Sequence, residues 1–319
     1  MHQLPHIRAL PDGEFISVRM KKPEPVVKVD ETGPPKAAVA GAVGVAVAVA
    51  WRLFISRMRN AGGAGRNNAW KTVTADAKEK LAAAGFDIVA PLKLRWYNEI
   101  APDSAKIAPG GAMGEDALVI LVGNSAALWP SFCDAHNARP EIGDAENPVD
   151  TYVDIEVNRV FRGKVRRVFY AHETKPGRLV AVQRMAHVAG VAHLDERSHL
   201  SIHPTLGPWL AFRAVVVLDD ARGPGDGQKP RPPPNPLAFD PSARARVDEA
   251  FDDALDGYEA PGGPSEGQWR LWVAVRDAVE PGHPARYPED QVAYHYNCLD
   301  GRERARIRSR LRGGFKPSD

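Results

Sequence analysis

Cysteine is nearly missing from this chain: its 319 residues include only Cys133 and Cys298. They lie far apart and form no CxxC pair, which excludes a thiolate metal site and a disulfide scaffold. Such sparing use of cysteine fits a reducing, cytoplasmic compartment. An excess of one charge is missing too. Its 42 basic and 40 acidic residues leave a net +2, so composition gives no reason to expect a nucleic-acid partner. There is no internal repeat, and GxGxxG, the Walker phosphate loop, HExxH and the nucleophile elbow are all absent. That removes the dinucleotide-binding, nucleotide-hydrolysing, zinc-protease and α/β-hydrolase readings. No apolar run reaches the roughly 20 residues that a spanning helix needs.

The longest such run covers residues 37–51 and is built from Ala, Val, Gly and Trp. Arg52 interrupts it and Leu53, Phe54 and Ile55 extend it. Basic residues flank it on both sides, Lys28 and Lys36 before and Arg57 and Arg59 after, so charge sets no orientation. Residues 37–56 therefore stand as a membrane anchor or as an ordinary hydrophobic extension. Before them, residues 1–36 are rich in proline and charge and read as a disordered arm. Residues 57–69 contain the Gly/Asn-rich stretch RNAGGAGRNN, a linker. The folded domain is expected over residues 70–314.

Within that domain the patterns mix. Residues 74–84 predict a helix closed by Gly85. FDIVAPLKLRWY reads as extended. DALVILVG is an unbroken apolar run of strand length, so both of its faces should be covered. Asn124 is placed to cap the next helix, Asn147 with Pro148 to start another, and Ser242 to start a third. KVRRVFYAHE alternates as a strand. Residues 179–194 predict a helix, and HLSIHPTLGPWLAFRAVVVL returns as a strand. ARGPGDGQKPRPPPNP has too many prolines for a helix or sheet and reads as a long exposed loop. A basic helix, DGRERARIRSRLR, comes last. Helices and strands alternate without a strict βαβ rhythm, which predicts an α+β layered antiparallel sheet with flanking helices.

Two features bear chemistry. The first is AHVAGVAH, residues 186–193. His187 and His193 are six apart, which on a helix leaves about 120° between them. They share no face, and no cysteine or carboxylate completes a metal shell with His203. Ala186, Ala189 and Gly190 instead make one helix face nearly flat, suited to a broad ligand or to close packing. The second is arginine. Arg213 sits inside LAFRAVVVL, where strict alternation would place Leu210, Phe212 and Ala214 on one side and Arg213 and Val215 on the other. Arg213, Arg276 and Arg302 converging would suit a small molecule with several carboxylates. Taken singly, each is a surface charge or the partner of a nearby acid.

WYNEIAP, NPVD, AHVAGVAH, IHPTLGPWLAFRAVVVL, RDAVEP and RYPEDQVAYHY together resemble, in order, the cobalamin-processing family of methylmalonic aciduria and homocystinuria type C. Its members are cyanocobalamin reductases and alkylcobalamin dealkylases. The resemblance covers residues 70–312 and implies a nitroreductase-like fold. It also implies cobalamin as substrate, FMN or FAD as reductant and glutathione as thiol. The metal is then cobalt carried inside the corrin, with no direct protein ligand set. By the same resemblance, Val180, Ala181, Val182 and Gln183 line the corrin edge, and His187 lies near the corrin or its tail. Leu194, Asp195 and Glu196 follow as contacts, with Ser201 and Phe212 opposite. Arg213, Arg276 and Arg302 hold glutathione. A downstream cobalamin-trafficking protein is the implied partner. The family has tyrosines and a longer hairpin where this chain has HLDERSHL, so the cap before Ile202 should be reduced. The competing classes are a cobalamin chaperone without turnover and a flavin reductase that never binds cobalamin.

Overall fold

The structure is a computed structural model that describes residues 5–9, 15–19, 69–259 and 267–296. The run at 37–56, the linker to residue 68, Cys298, Arg302 and the basic helix of 300–312 lie outside the described residues. In the N-terminal arm, β1 (Pro5–Ala9) pairs antiparallel with β2 (Phe15–Arg19).

The centre of the domain is a four-stranded antiparallel sheet in the order β3-β4-β8-β5. Its strands are β3 (Ile88–Lys93), β4 (Ala117–Asn124), β5 (Arg166–Tyr170) and β8 (Ala211–Arg222). All eight residues of β4 are buried, because both faces of the sheet are covered. Leu118, Ile120 and Val122 face one core with α1 (Ala69–Ala82), α3 (Leu128–Ala138) and α5 (Pro148–Val160). Val119 and Leu121 face a second core with α2 (Leu94–Asn98) and α6 (Val182–Val188). The short α4 (Pro140–Gly143) links α3 to α5. The α+β layered reading therefore holds. Pro91 lies on the edge strand β3, where its missing N–H removes no ladder bond needed by a second neighbour.

Local rules explain most ends. Gly85 adopts φ +84 after α1, and Phe86 N–H bonds back to Leu81 O at 3.0 Å. A Cβ at Gly85 would lie 2.7 Å from Leu128 Cα. Gly85→Ala should destabilise the fold by at least about 1–2 kcal/mol from the left-handed backbone alone. A lower urea midpoint at unchanged slope would show it, and an unchanged midpoint would refute this account of the turn.

Several ends differ from expectation. The chain turns helical at Leu94, so only Ile88–Lys93 of FDIVAPLKLRWY is strand. Asn124 does not cap α3. It ends β4, and Ser125 Oγ instead accepts from Ala127 N–H at 3.2 Å. Asn147 precedes α5 but makes no side-chain cap bond. Asp240, not Ser242, caps α7 (Pro241–Glu259), accepting from Ser242 and Ala243 N–H at 3.0 Å each. Helix α6 stops at Val188 because Gly190 turns to φ +71. His193–Leu194 (β6) then pairs with Ser201–Ile202 (β7). The long strand expected from His199 onward is broken by a turn at His203–Gly207, where Pro204 and Gly207 interrupt the ladder. Helices α7 and α8 (Trp269–Asp277) pack through Val247, Phe251, Ala254 and Val275, and α9 (Glu289–Tyr296) follows.

Candidate functional site

The first group of expected site residues lies along α6. Val180 is buried, and Ala181 N–H donates to Tyr97 Oη at 2.9 Å. Val182, Gln183, Arg184 and His187 are half-buried on the outer side of the helix. Met185, Ala186, Val188 and Ala189 are buried against the sheet. The small residues thus serve close helix–sheet packing, and the accessible wall is the opposite face. Gln183 Nε2 donates to His199 O. His187 Nδ1 accepts from Leu194 N–H at 3.2 Å, which puts the ring proton of the neutral form on Nε2. Burial first, and the nearby His193 second, hold His187 below the usual histidine range. The two rings meet edge to face at 5.4 Å.

The next residues divide. Leu194 pairs with Ser201 across β6 and β7. Ser201 Oγ is buried and has no hydrogen-bond partner among the described residues. Such a group costs about 1–3 kcal/mol unless something fills it, so it suits a ligand contact. Asp195 is different. It is 4% exposed, and its carboxylate accepts from Arg244 at 2.6 Å and from Ser198 N–H and Oγ–H at 2.9 and 2.5 Å. That carboxylate is satisfied inside the protein and is not offered to a ligand. Glu196 is exposed beside it.

Arg213 corrects the strand pattern. The register of β4 against β8 slips so that Val122 faces Ala214 while Gly123 faces Phe212. Arg213 is therefore the bulged residue, and Phe212 joins Val215 and Val217 on the α6 side rather than Ala214 on the other. A bulge re-aims a side chain at a sheet end. Here Arg213 Nε donates to Asn124 Oδ1 at 2.7 Å.

Arg276 comes from α8 to the same end of the sheet. Its Nη1 reaches Leu210 O at 3.4 Å, and its guanidinium lies 5.7 Å from the Trp209 ring and 5.5 Å from the Tyr296 ring. Asp277, an expected partner, is instead taken by Arg286 at 2.8 Å. Arg213 and Arg276 both act on Tyr287. Burial pushes this phenol up to about 12, while Arg276 and then Arg213 pull it down. Tyr287 packs on Trp209 at 5.5 Å between ring centroids. Two of the three expected arginines therefore stand at the same end of β8, Arg213 on Asn124 and Arg276 on Leu210 O, and Arg302 lies outside the described residues. Sequence reasoning missed Trp209, Tyr287 and Gln291, although PWL and RYPEDQVAYHY lay inside matched segments.

It also missed what the proline-rich loop does. Residues 223–235 run across α2 and the end of α6 as a strap. Asp226 binds Lys93 at 2.6 Å, Lys229 binds Glu99 at 3.0 Å, and Pro233 O faces His193 Nδ1 at 3.3 Å. Pro230 lies over Gly190, where a Cβ would sit 2.8 Å away. Two open clefts stand out among the described residues. One, of about 450 Å³, is lined by Arg95, Asn98, Lys106 and Glu115. The other, of about 440 Å³, is lined by Lys93, Asp116, Arg222 and Asp226. Neither contains an expected site residue. Among the described residues no cluster of His, Cys, Asp and Glu could hold a metal ion. No described helix is long and apolar enough to cross a membrane.

The fold and this site define an antiparallel α+β protein with two arginines at one sheet end and a half-buried histidine on the outer side of α6. No family model matches the chain. The cyanocobalamin reductase / alkylcobalamin dealkylase of Bos taurus is 29% identical over 245 residues, covering 70% of this chain and 78% of its own. Its Homo sapiens counterpart is 28% identical over 235 residues, covering 68% and 74%. The crystal structure of the C. elegans B12-trafficking protein CblC, a human MMACHC homologue, has a similar fold. It shows a TM-score of 0.57 at 16% identity and covers 78% of this chain and 98% of that one. Similarity of this extent, over about two thirds of the chain, supports the family that the sequence resembles, the cyanocobalamin reductases / alkylcobalamin dealkylases.

Proposed function

We propose that this protein processes cobalamin by two reactions. In the first, one electron reaches the cobalt of cyanocobalamin, cyanide leaves with its bonding pair, and cob(II)alamin results. In the second, a glutathione thiolate attacks the alkyl carbon of an alkylcobalamin. The carbon–sulfur bond forms, the thioether leaves, and both electrons of the cobalt–carbon bond stay on cobalt as cob(I)alamin. Cobalt enters as part of the substrate, so the reading needs no protein ligand set.

The observation that carries this reading is that Arg276 reaches the backbone of Leu210, three residues before Arg213, so that both arginines stand at one end of β8. A guanidinium pair matches carboxylates, and nearby positive charge favours a thiolate. Val180 to Gln183, His187, Leu194, Ser201 and Phe212 form the cobalamin side, with Arg302 as a third glutathione contact. Asp195 is left out because its carboxylate is already satisfied, and Glu196 stays as a rim contact. The reading includes kinship with nitroreductase folds and a flavin, FMN or FAD, as the electron donor. No described residue is assigned to flavin, since in the more basic cleft Arg95 and Arg222 pair with Asp116 and Lys93 pairs with Asp226. Flavin is therefore carried as an external reductant with no residue assigned.

Titrating the full chain with methylcobalamin should give the spectral change of a displaced lower base, and added glutathione should then release the methyl group as a thioether. Binding without release would favour a chaperone that hands cobalamin to a trafficking partner. Flavin reduction with an unchanged corrin spectrum would replace the reading with a flavin reductase.

A further inference from the structure

The proline-rich strap ends its crossing on a pair of histidines. Pro230, Pro232, Pro233, Pro234 and Pro236 have no N–H, so this stretch offers a neighbour mainly carbonyls. Pro233 O meets His193 Nδ1 at 3.3 Å, and a carbonyl only accepts, so His193 carries a proton on Nδ1. Neutral His187 has the opposite tautomer, because its Nδ1 accepts from Leu194 N–H at 3.2 Å. The two rings stand edge to face at 5.4 Å, and both are half-buried. Pro230 closes over Gly190 in the turn between them, and Asp226 and Lys229 anchor the strap on Lys93 and Glu99.

Each ring is therefore fixed by a backbone group, and the strap supplies one of the two. We propose that His193 is a positioning residue: clamped by Pro233 O, it holds the ring of His187 in place on the outer side of α6. This rests on the cobalamin reading above, which puts His187 near the corrin, and goes beyond it by giving the strap a part in the site. The groups that face His187 act in both directions. Burial opposes a proton on the ring most, His193 and Arg184 oppose it too, and Ala192 O and Glu196 favour it. A second proton can enter only at Nδ1, where it meets Leu194 N–H and breaks that bond. Acid thus undoes the contact between α6 and β6 and sets a cation near a corrin whose metal is itself cationic. Cobalamin binding weakens as His187 takes up a proton, and His193 on its clamp delays that uptake to lower pH.

Titrating the full chain between about pH 5 and 8 tests this, with His187 followed by NMR of ring-labelled histidine and methylcobalamin affinity by absorbance. The His187→Gln chain assigns the signal. His193→Phe keeps a ring but loses the clamp and the charge. Its His187 signal should titrate at higher pH than the parent's, and near pH 5.5 it should bind methylcobalamin about two- to fivefold more weakly. Asp226→Asn with Lys229→Gln releases the strap and touches neither histidine. It should move the His187 signal the same way in the parent and leave it in place in the His193→Phe chain, because effects that pass through one residue do not add. Melting temperature reports whether each variant is folded. Should His193→Phe not fold, His193→Gln replaces it with the same expected shift, since it also lacks the charge. A His187 signal that titrates as in the parent in both variants, or a strap effect equal with and without His193, would overturn the proposal. So would methylcobalamin binding that ignores the His187 titration, and the cobalamin reading would then survive it. If the signal shifts as expected and methylcobalamin binds at no pH, the clamp stands and the cobalamin reading falls.

Discussion

Arg276→Ala should slow glutathione-dependent loss of the methyl group from methylcobalamin by about 10–100-fold, the worth of one charge-assisted hydrogen bond. Methylcobalamin itself should stay bound within about threefold, a change below about 1 kcal/mol. The separation follows from placement. Arg276 is held by Leu210 O and by the Trp209 and Tyr296 rings, on α8. The α6 wall that carries Gln183 and His187 belongs to another packed cluster. Losing a guanidinium that grips the thiol's carboxylate in ground and transition states alike raises KM for glutathione, while lost help in ionising the thiol lowers kcat. Arg276→Lys keeps the charge without the planar fork and should fall between. Arg213→Ala should act similarly and also free Asn124 Oδ1, which Arg213 Nε holds at 2.7 Å. Demethylation at the parent rate in both alanine variants, at limiting glutathione, would remove the arginines from the mechanism.

Arg244→Met should lower the melting temperature by about 6–20 °C, through the loss of about 3–5 kcal/mol when a buried ion pair loses one member. Arg244 binds Asp195 at 2.6 Å and Asp248 at 2.6 Å, and the Asp195 side chain is almost wholly buried. Without Arg244 that carboxylate has only Ser198 to answer it. The pH dependence has a definite sign. Burial raises the Asp195 carboxyl, but the bonds from Arg244 and Ser198 outweigh it and hold the group below the usual carboxylate range. A depressed folded value means that the stabilisation is full above the unfolded value of about 3.9 and fades as pH falls through the folded one. The gap between parent and variant should therefore be widest near neutral pH and narrow below about pH 4. Adding Asp195→Asn to Arg244→Met removes the stranded charge and should recover part of the loss. A variant that melts with the parent at pH 7 would refute the structural role assigned to this pair.

That role shows where reading residues in a row misleads. Asp195 and Glu196 are neighbours that the family resemblance treated alike. One turns inward to an arginine 49 positions away, and the other points to solvent. Nothing between Leu194 and Arg197 announces the difference, because the deciding partner sits on α7. Arg213 gives the same lesson for geometry. Alternation along LAFRAVVVL was legible, but one bulged residue moved Phe212 to the opposite face. The end of α6 was legible and missed: Gly190 in AHVAG closes the helix through a left-handed backbone, so the helix stops before His193. The proline-rich loop was correctly refused a place in helix or sheet. Its role as a strap rests on Asp226, Lys229 and Pro230 meeting Lys93, Glu99 and Gly190.

By itself the sequence determined what depends on neighbours a few positions away. These are the buried β4 run, the turn at Gly85, the barrier that Pro204 and Gly207 place between β7 and β8, and the small residues that let α6 lie close to the sheet. Backbone conformations and apolar periods are set locally, so they can be read locally. Only the tertiary structure decided that Arg213, Arg276, Trp209 and Tyr287 share one sheet end, and that Asp195 belongs to the core. Those outcomes depend on how β8, α7, α8 and α9 pack against one another. Side chains distant along the chain have no common pattern until burial forces them to satisfy each other's charges and hydrogen bonds.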